Sequence, residues 1–113
     1  MSETTASRTV TVINPEGLHL RPAGLFAQLA SQFDSKIEVI KDGDRFDGKS
    51  TLALLTLVAE KGTQFTIEAV GHDADDAIGA LVNLVERGFP RGEPQEQDKA
   101  FDQKEAGEST QPK

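Results

Sequence analysis

The sequence of 113 residues has no cysteine, tryptophan or tyrosine and a single methionine. Without cysteine, the chain has no disulfide framework, no thiolate nucleophile and no cysteine-ligated zinc or iron–sulfur site. Long apolar runs are also missing, because the longest, at 52–59, is interrupted by Thr56 and falls short of the roughly 18 residues that a membrane span needs. We therefore expect one small domain without a cofactor and without membrane insertion.

Positive charge is scarce as well. The chain has 12 Lys and Arg against 19 Asp and Glu, which gives a net charge of −7. Nucleic-acid and anionic membrane surfaces attract basic faces, so the acidic balance argues against both as partners. The first residues include the acid Glu3 where a signal peptide would carry basic residues, and no apolar stretch follows. A cytoplasmic location is predicted.

The two ends of the chain differ in composition from the middle. Residues 91–113 hold one large apolar residue, Phe101, and their four basic and six acidic residues sum to −2, which leaves −5 for the remainder. Such a segment cannot bury enough apolar surface to offset its conformational entropy. We predict a disordered acidic tail over 91–113, a flexible N-terminus over 1–7 and a single folded domain over 8–90.

Alternation of apolar and polar residues predicts the strands of this domain. The predicted strands are 8–14, 36–41, 45–47 and 64–70. Asp42 and Gly43 stand between the second and third strands, and this dipeptide is typical of a tight hairpin turn.

Apolar stripes at helical spacing predict helices over about 20–33 and from Asp73 to the stop signals Gly88 and Pro90. The apolar segment after Ser50 fits a strand or a helix, and Ser50 as a cap favours a short helix that ends by Gly62. The order β-α-β-β-α-β-α predicts an α+β domain, in which three helices cover one face of a four-stranded, mainly antiparallel sheet.

The segment 17–23, Gly-Leu-His-Leu-Arg-Pro-Ala, combines residues that suit phosphate chemistry. It places His19 at the start of a predicted helix and Pro22 in the first turn, where the missing N–H of proline costs nothing. Free N–H groups and the positive end of the helix dipole favour an anion there, and Arg21 offers a guanidinium fork for phosphate. A ring nitrogen of His19 in this setting is a candidate phosphoryl acceptor.

Two features bear on this interpretation. Glu16, directly before the segment 17–23, is the one nearby carboxylate that could activate water. Storage and onward transfer of a phosphoryl group are therefore favoured over hydrolysis. The simpler alternative makes His19 an ordinary surface residue at a helix start, Arg21 a solvated side chain and residues 15–17 a turn.

The segment 17–23, followed further along the chain by Gly48-Lys49-Ser50 and a short apolar helix, resembles the HPr family. These proteins are the histidine-containing phosphocarriers of the phosphoenolpyruvate-dependent sugar phosphotransferase system. The resemblance extends over nearly all of 8–90 and implies an open-faced β-sandwich. It further implies a stoichiometric carrier, not an enzyme, whose His19 accepts a phosphoryl group on Nδ1 from phosphorylated enzyme I and passes it to the A domains of sugar permeases.

Other positions acquire roles through the same resemblance. Arg21 matches the arginine that helps to hold the phosphoryl group, and Pro22 matches the residue that fixes the helix start. Ser50 matches the serine that HPr kinase/phosphorylase modifies in some bacteria. An alternative function is therefore a regulatory interaction module that acts through Ser50, with little or no role in sugar transport. Leu20 departs from the family, which usually has alanine there.

Three leucines are candidates for a docking surface. Leu52 and Leu55 lie three residues apart on the predicted short helix, and with Leu20 they could form an exposed apolar patch that binds partner proteins. The alternative is that Leu52 and Leu55 belong to the core. We expect the protein to be a monomer.

His72 precedes a helix whose first turn is rich in acids, with Asp73, Asp75 and Asp76 close in sequence. A metal site could be built from such residues, but the helix dipole alone favours acids at this position. No metal site is predicted.

Overall fold

The computed structural model describes residues 4–90, so the predicted tail at 91–113 lies outside the described residues. The order β-α-β-β-α-β-α is as predicted, and the segment after Ser50 is a helix. The strands are β1 (Thr5–Thr11), β2 (Lys36–Lys41), β3 (Asp44–Asp47) and β4 (Gln64–Val70), and the helices are α1 (Leu20–Ala30), α2 (Thr51–Leu57) and α3 (Ala74–Glu86).

The four strands form one antiparallel sheet in the order β1-β4-β2-β3. Alternation puts apolar side chains on one face, where Val39 of β2 lies beside Ile67 of β4 and both are fully buried. The opposite face is uncovered and polar, and there the hydroxyls of Thr9 and Thr66 lie 2.8 Å apart. This confirms the predicted α+β fold with one open sheet face.

The helices lie over the apolar face of the sheet. α3 packs on β1 and β4, and α1 packs against both α2 and α3. Each helix contributes a fully buried side chain to one core: Phe26 from α1, Leu54 from α2 and Leu81 from α3. Among residues 4–90, no helix is both long and apolar enough to cross a membrane.

The prediction of a flexible N-terminus over 1–7 is wrong for its last residues. β1 begins at Thr5, and residues 5–7 pair in register with residues 68–70 of β4. Composition did not indicate this pairing, because the backbone hydrogen bonds of an edge strand do not depend on apolar side chains. β1 also ends at Thr11 and not at residue 14, since the chain then turns, and the buried Asn14 amide donates to the Gly17 carbonyl at 2.7 Å.

Two helices end earlier than predicted. α1 stops at Ala30 because the next turns tighten, with the backbone N–H of Phe33 bonded to the Ala30 carbonyl. α2 stops at Leu57, five residues before Gly62, and Val58 after it takes a left-handed conformation with φ 55°. Between β2 and β3, Asp42 and Gly43 both have positive φ, 52° and 84°, which confirms the predicted tight hairpin.

Candidate functional site

His19 is the N-cap residue of α1 and directly precedes the first helical residue, Leu20. Its backbone is extended, with φ −85° and ψ −168°, and its carbonyl accepts the first hydrogen bond of the helix from the N–H of Ala23 at 2.8 Å. The imidazole is exposed and makes no capping hydrogen bond. The ring therefore stands beside the helix terminus with its nitrogens accessible to solvent and to a partner.

The terminus itself carries an uncompensated positive partial charge. The first N–H groups of a helix have no intrahelical partner, and here Leu20 and Arg21 supply them. Pro22 is buried in the same turn and has no N–H to leave unsatisfied. The first turn holds no acidic residue. An anion bound next to His19 would meet free donors and the positive end of the dipole without a competing carboxylate in that turn.

Arg21 is held next to this terminus by a contact with the far end of the domain. Its Nη2 donates to the carbonyl of Phe89 at 2.8 Å, across 68 positions in the sequence. Its Nε is buried without a hydrogen-bond partner among the described residues. The guanidinium is thus anchored at one nitrogen and still has donor capacity for an anion.

Phe89 is a site residue that the sequence analysis missed. It follows α3, is fully buried and has a positive φ of 53°, so its carbonyl is set by its own packing. In the sequence, Gly88 and Pro90 indicate only that a helix stops near it, and nothing there indicates a contact with Arg21.

The loop before His19 is fixed by close backbone approach to the segment after α2. Gly17 has φ 72°, and a Cβ at this position would lie 2.5 Å from the carbonyl oxygen of Ala59. The N–H of Leu18 donates to that same oxygen at 2.7 Å. A residue other than glycine at position 17 would push the two segments apart and displace the start of α1.

A shallow depression with mostly apolar walls surrounds His19. Leu20 at its edge is 68% exposed, and Leu55 is half-buried and also packs on the core. Leu52, one turn before Leu55 on α2, is 74% exposed, so the alternative that Leu52 is a core residue is wrong. The lining of the depression comprises Leu18, His19, Leu20, Leu55, Val58, Ala59 and Glu60.

Ser50 is the N-cap of α2, as predicted. Its Oγ accepts a hydrogen bond from the N–H of Ala53 at 3.1 Å. Its neighbours Lys49 and Thr51 line a second groove together with Leu20 and Arg21. The start of α2 and the start of α1 therefore share one surface.

The second histidine has a different environment. The His72 Nε2 lies 2.9 Å from Oδ2 of Asp34, and this hydrogen bond raises the pKa of His72. Asp73 accepts hydrogen bonds from the Ser35 hydroxyl, from the Asp34 N–H at 2.8 Å and from the Ser35 N–H at 2.9 Å. These bonds, first of all the one from the Ser35 hydroxyl, lower the pKa of Asp73 to about 2.

Asp34, His72 and Asp73 place one ligand atom each within 4.8 Å of one another, the geometry that a cation would need. Asp75 and Asp76, the acids close to His72 in sequence, are not part of this cluster, and the structure brings Asp34 there from the loop before β2. Because the carboxylates of Asp34 and Asp73 already accept the bonds that tie this loop to α3, the cluster has a structural explanation.

Comparisons with known proteins show the family to which this chain belongs. A family model described as the PTS HPr component phosphorylation site matches residues 6–87. The chain belongs to the HPr family. It is 41% identical over 86 residues to the phosphocarrier protein HPr of Neisseria meningitidis serogroup A, an alignment that covers 76% of this chain and 97% of the relative.

Solved structures agree with this membership. An HPr from Thermoanaerobacter tengcongensis superposes with a TM-score of 0.73 at 40% identity, covering 80% of this chain and 99% of that one. A second structure from that organism, described as an HPr dimer, gives a TM-score of 0.62 at 40% identity and covers 73% and 94% of the two chains. As a member of the HPr family, the protein is a phosphocarrier of the phosphotransferase system, and the four-stranded sheet and three helices are those of HPr structures.

Proposed function

We propose that His19 accepts a phosphoryl group from phosphorylated enzyme I and passes it to the A domains of sugar permeases. The observation that supports this proposal is the exposed imidazole at an α1 terminus free of acids, with Arg21 in the same turn. The lone pair of Nδ1 attacks phosphorus while the nitrogen–phosphorus bond to the donor breaks. The donor nitrogen takes back its electron pair, and the proton on Nε2 of His19 stays in place.

The same site favours storage of the phosphoryl group on His19 over its hydrolysis. The N–H groups of Leu20 and Arg21 and the Arg21 guanidinium stabilise the phosphoryl oxygens. Hydrolysis needs a base that activates water, and the first turn of α1 offers none. Of the two carboxylates outside this turn, Glu16 accepts a hydrogen bond from the Asn14 amide, and Glu60 belongs to the lining of the depression. The protein then acts as a stoichiometric carrier, and Pro22 contributes by fixing the turn.

Leu20, Leu52 and Leu55 are proposed to contact the partner proteins. Two of them are largely exposed apolar side chains on the surface that contains His19, which favours burial against another protein. We propose a monomeric protein in the cytoplasm, as the sequence predicts. Replacement of Leu52 by Glu is expected to weaken binding to enzyme I without loss of folding, and unchanged affinity would remove Leu52 from the docking surface.

The carrier function is tested by incubation with phosphoenolpyruvate and enzyme I. Wild-type protein should gain an acid-labile, base-stable phosphate. The variant His19→Ala should gain none, and His72→Ala, the matched control at the other histidine, should be labelled as wild type is. Absence of label on wild type, or label that persists in His19→Ala, would contradict the proposal.

Ser50 supports a second, regulatory function. Its side chain is half-buried at the start of α2, and its neighbours share a groove with Arg21, so a phosphate there would add charge beside the docking surface. HPr kinase/phosphorylase is the candidate modifying enzyme. Ser50→Asp should slow phosphotransfer to His19 while the capping Ser50→Asn does not. Equal rates for the two variants would count against regulation through Ser50.

A further inference from the structure

Val58 combines an unfavourable backbone conformation with an exposed apolar side chain. It ends α2 with φ 55° and ψ 73°, a left-handed conformation in which glycine or asparagine is usual. Asp42 and Phe89 are the other non-glycine residues with positive φ among residues 4–90, and Val58 alone of the three is β-branched. Its side chain is 65% exposed, so burial in the core does not compensate for the strain.

The residues on both sides of Val58 impose its left-handed backbone conformation. Leu57 and Ala59, the neighbours of Val58, are buried. The Ala59 carbonyl accepts the hydrogen bond from Leu18 and lies against Gly17, so the backbone at 58 cannot relax without moving the loop that carries His19. A valine that is neither buried nor suited to its backbone contributes little to folding, and such residues cluster at functional sites.

The position of Val58 relates it to phosphoryl transfer. It lines the same depression as His19, with Leu20 and Leu55 as the other large apolar side chains at its edge. Transfer requires the reacting atoms to approach to about 3–3.5 Å, so a donor protein has to cover this depression. The lining of the depression is mostly apolar and includes one acidic residue, Glu60. α2 has no charged residue, and Arg21, the only one in α1, lines the adjoining groove, so apolar contact predominates at the depression itself.

We propose that Val58 is a specificity-determining residue, which together with Leu20 and Leu55 forms an apolar rim around His19. The rim selects a phosphoryl donor protein that presents apolar side chains around its phosphorylated residue. This inference rests on the proposed function of His19. The strain at Val58 is retained because valine gives the donor an apolar contact that glycine or asparagine would not.

The test compares three variants as phosphoryl acceptors from phosphorylated enzyme I. Val58→Asn relieves the strain and removes the apolar contact, whereas Val58→Leu keeps an apolar side chain. Ile40→Asn is the matched control, because Ile40 is a half-buried apolar residue of β2 that pairs with Thr66, away from His19. KM, kcat and the thermal midpoint Tm are measured for each variant.

We expect Val58→Asn to raise KM about tenfold with kcat within about twofold of wild type, the signature of lost contact and not of lost chemistry. Its Tm should be equal to or above that of wild type, which separates the effect from misfolding. Val58→Leu and Ile40→Asn should keep the wild-type KM. The inference is overturned if Val58→Asn keeps the wild-type KM or if Val58→Leu raises KM as much. Absence of any labelling of wild type would instead refute the carrier function itself.

Discussion

The two histidines of this protein both stand at the start of a helix, and their surroundings differ in charge. His19 begins α1, whose first turn has no acidic residue. His72 comes just before α3, whose first turn has two acidic residues, and it is hydrogen-bonded to the carboxylate of Asp34. Both imidazoles are exposed, so accessibility does not distinguish them.

The comparison shows how one kind of backbone terminus serves two purposes. At α3, Asp73 is hydrogen-bonded to the loop before β2, and the first turn contains two further carboxylates. A phosphoryl group on His72 would face like charge from Asp34 and Asp73. At α1, the same partial positive charge is left uncompensated and Arg21 adds to it. The absence of acidic residues from the first turn of α1 is therefore the feature that distinguishes His19, the proposed phosphoryl acceptor, from His72.

The largest effect should come from removing the cation at α1. Arg21→Gln deletes the guanidinium that we propose stabilises the phosphoryl group, and we expect the rate of phosphorylation of His19 to fall about 100-fold. Arg8→Gln is the control, because Arg8 is also an arginine with a partner, Glu86, but lies on an exposed part of β1. Equal rates for the two variants would show that Arg21 does not stabilise the phosphoryl group.

A smaller effect is expected from adding an acidic residue to the first turn of α1, where α3 has two. Leu20→Asp adds a carboxylate next to His19, and its repulsion of the incoming phosphoryl group should lower the transfer rate about tenfold relative to Leu20→Asn. The asparagine variant removes the same apolar contact without the charge, so the ratio isolates electrostatics. The ratio should shrink at high salt, and a ratio near one at low salt would mean that acids do not explain the difference between the histidines.

Replacement of Asp73 should change the stability of the fold and leave the rate of phosphoryl transfer unchanged. Its pKa is about 2 in the folded protein against an ordinary value of 3.8, so its stabilising contribution is present above about pH 4 and is lost as the pH falls through 2. Asp73→Asn should therefore lower Tm at about pH 7, with a deficit that shrinks in acid. Asp75→Asn, an exposed acid in the same turn, is the control. Thermal unfolding monitored by circular dichroism measures the Tm of both variants. If the Tm deficit of Asp73→Asn did not depend on pH, the lowered pKa of Asp73 would not be its cause.

The smallest effect concerns the titration of His72. The hydrogen bond to Asp34 raises the pKa of His72 above its ordinary value of 6.5, and Asp34→Asn should lower it. Both side chains are exposed, so solvent screens the pair. Since the folded pKa is the higher one, this pair stabilises the protein below about pH 6.5 and the contribution is lost as the pH rises through the folded value. NMR titration of the His72 ring proton in the wild type and in Asp34→Asn measures this change in pKa.

Much of this molecule could be predicted because its signals are local. Alternation identified the strands, and helical spacing together with the cap at Ser50 identified the helices, since these patterns reflect burial within one element. The ends of elements were less predictable. Residues 5–7 belong to β1 because β4 offers them backbone partners, and α2 stops at Leu57 because Ala59 is held by Leu18. Neither reason is local in sequence.

The sequence by itself determined the element order and the segment 17–23 with its histidine, arginine and proline, because these follow from residue type and short spacing. Only the tertiary structure decided that Phe89 anchors Arg21, that Asp34 pairs with His72 and that Val58 stands at the edge of the His19 depression in a left-handed conformation. Contacts of this kind join residues that are tens of positions apart, and they are set by how the helices and loops pack against each other and the sheet.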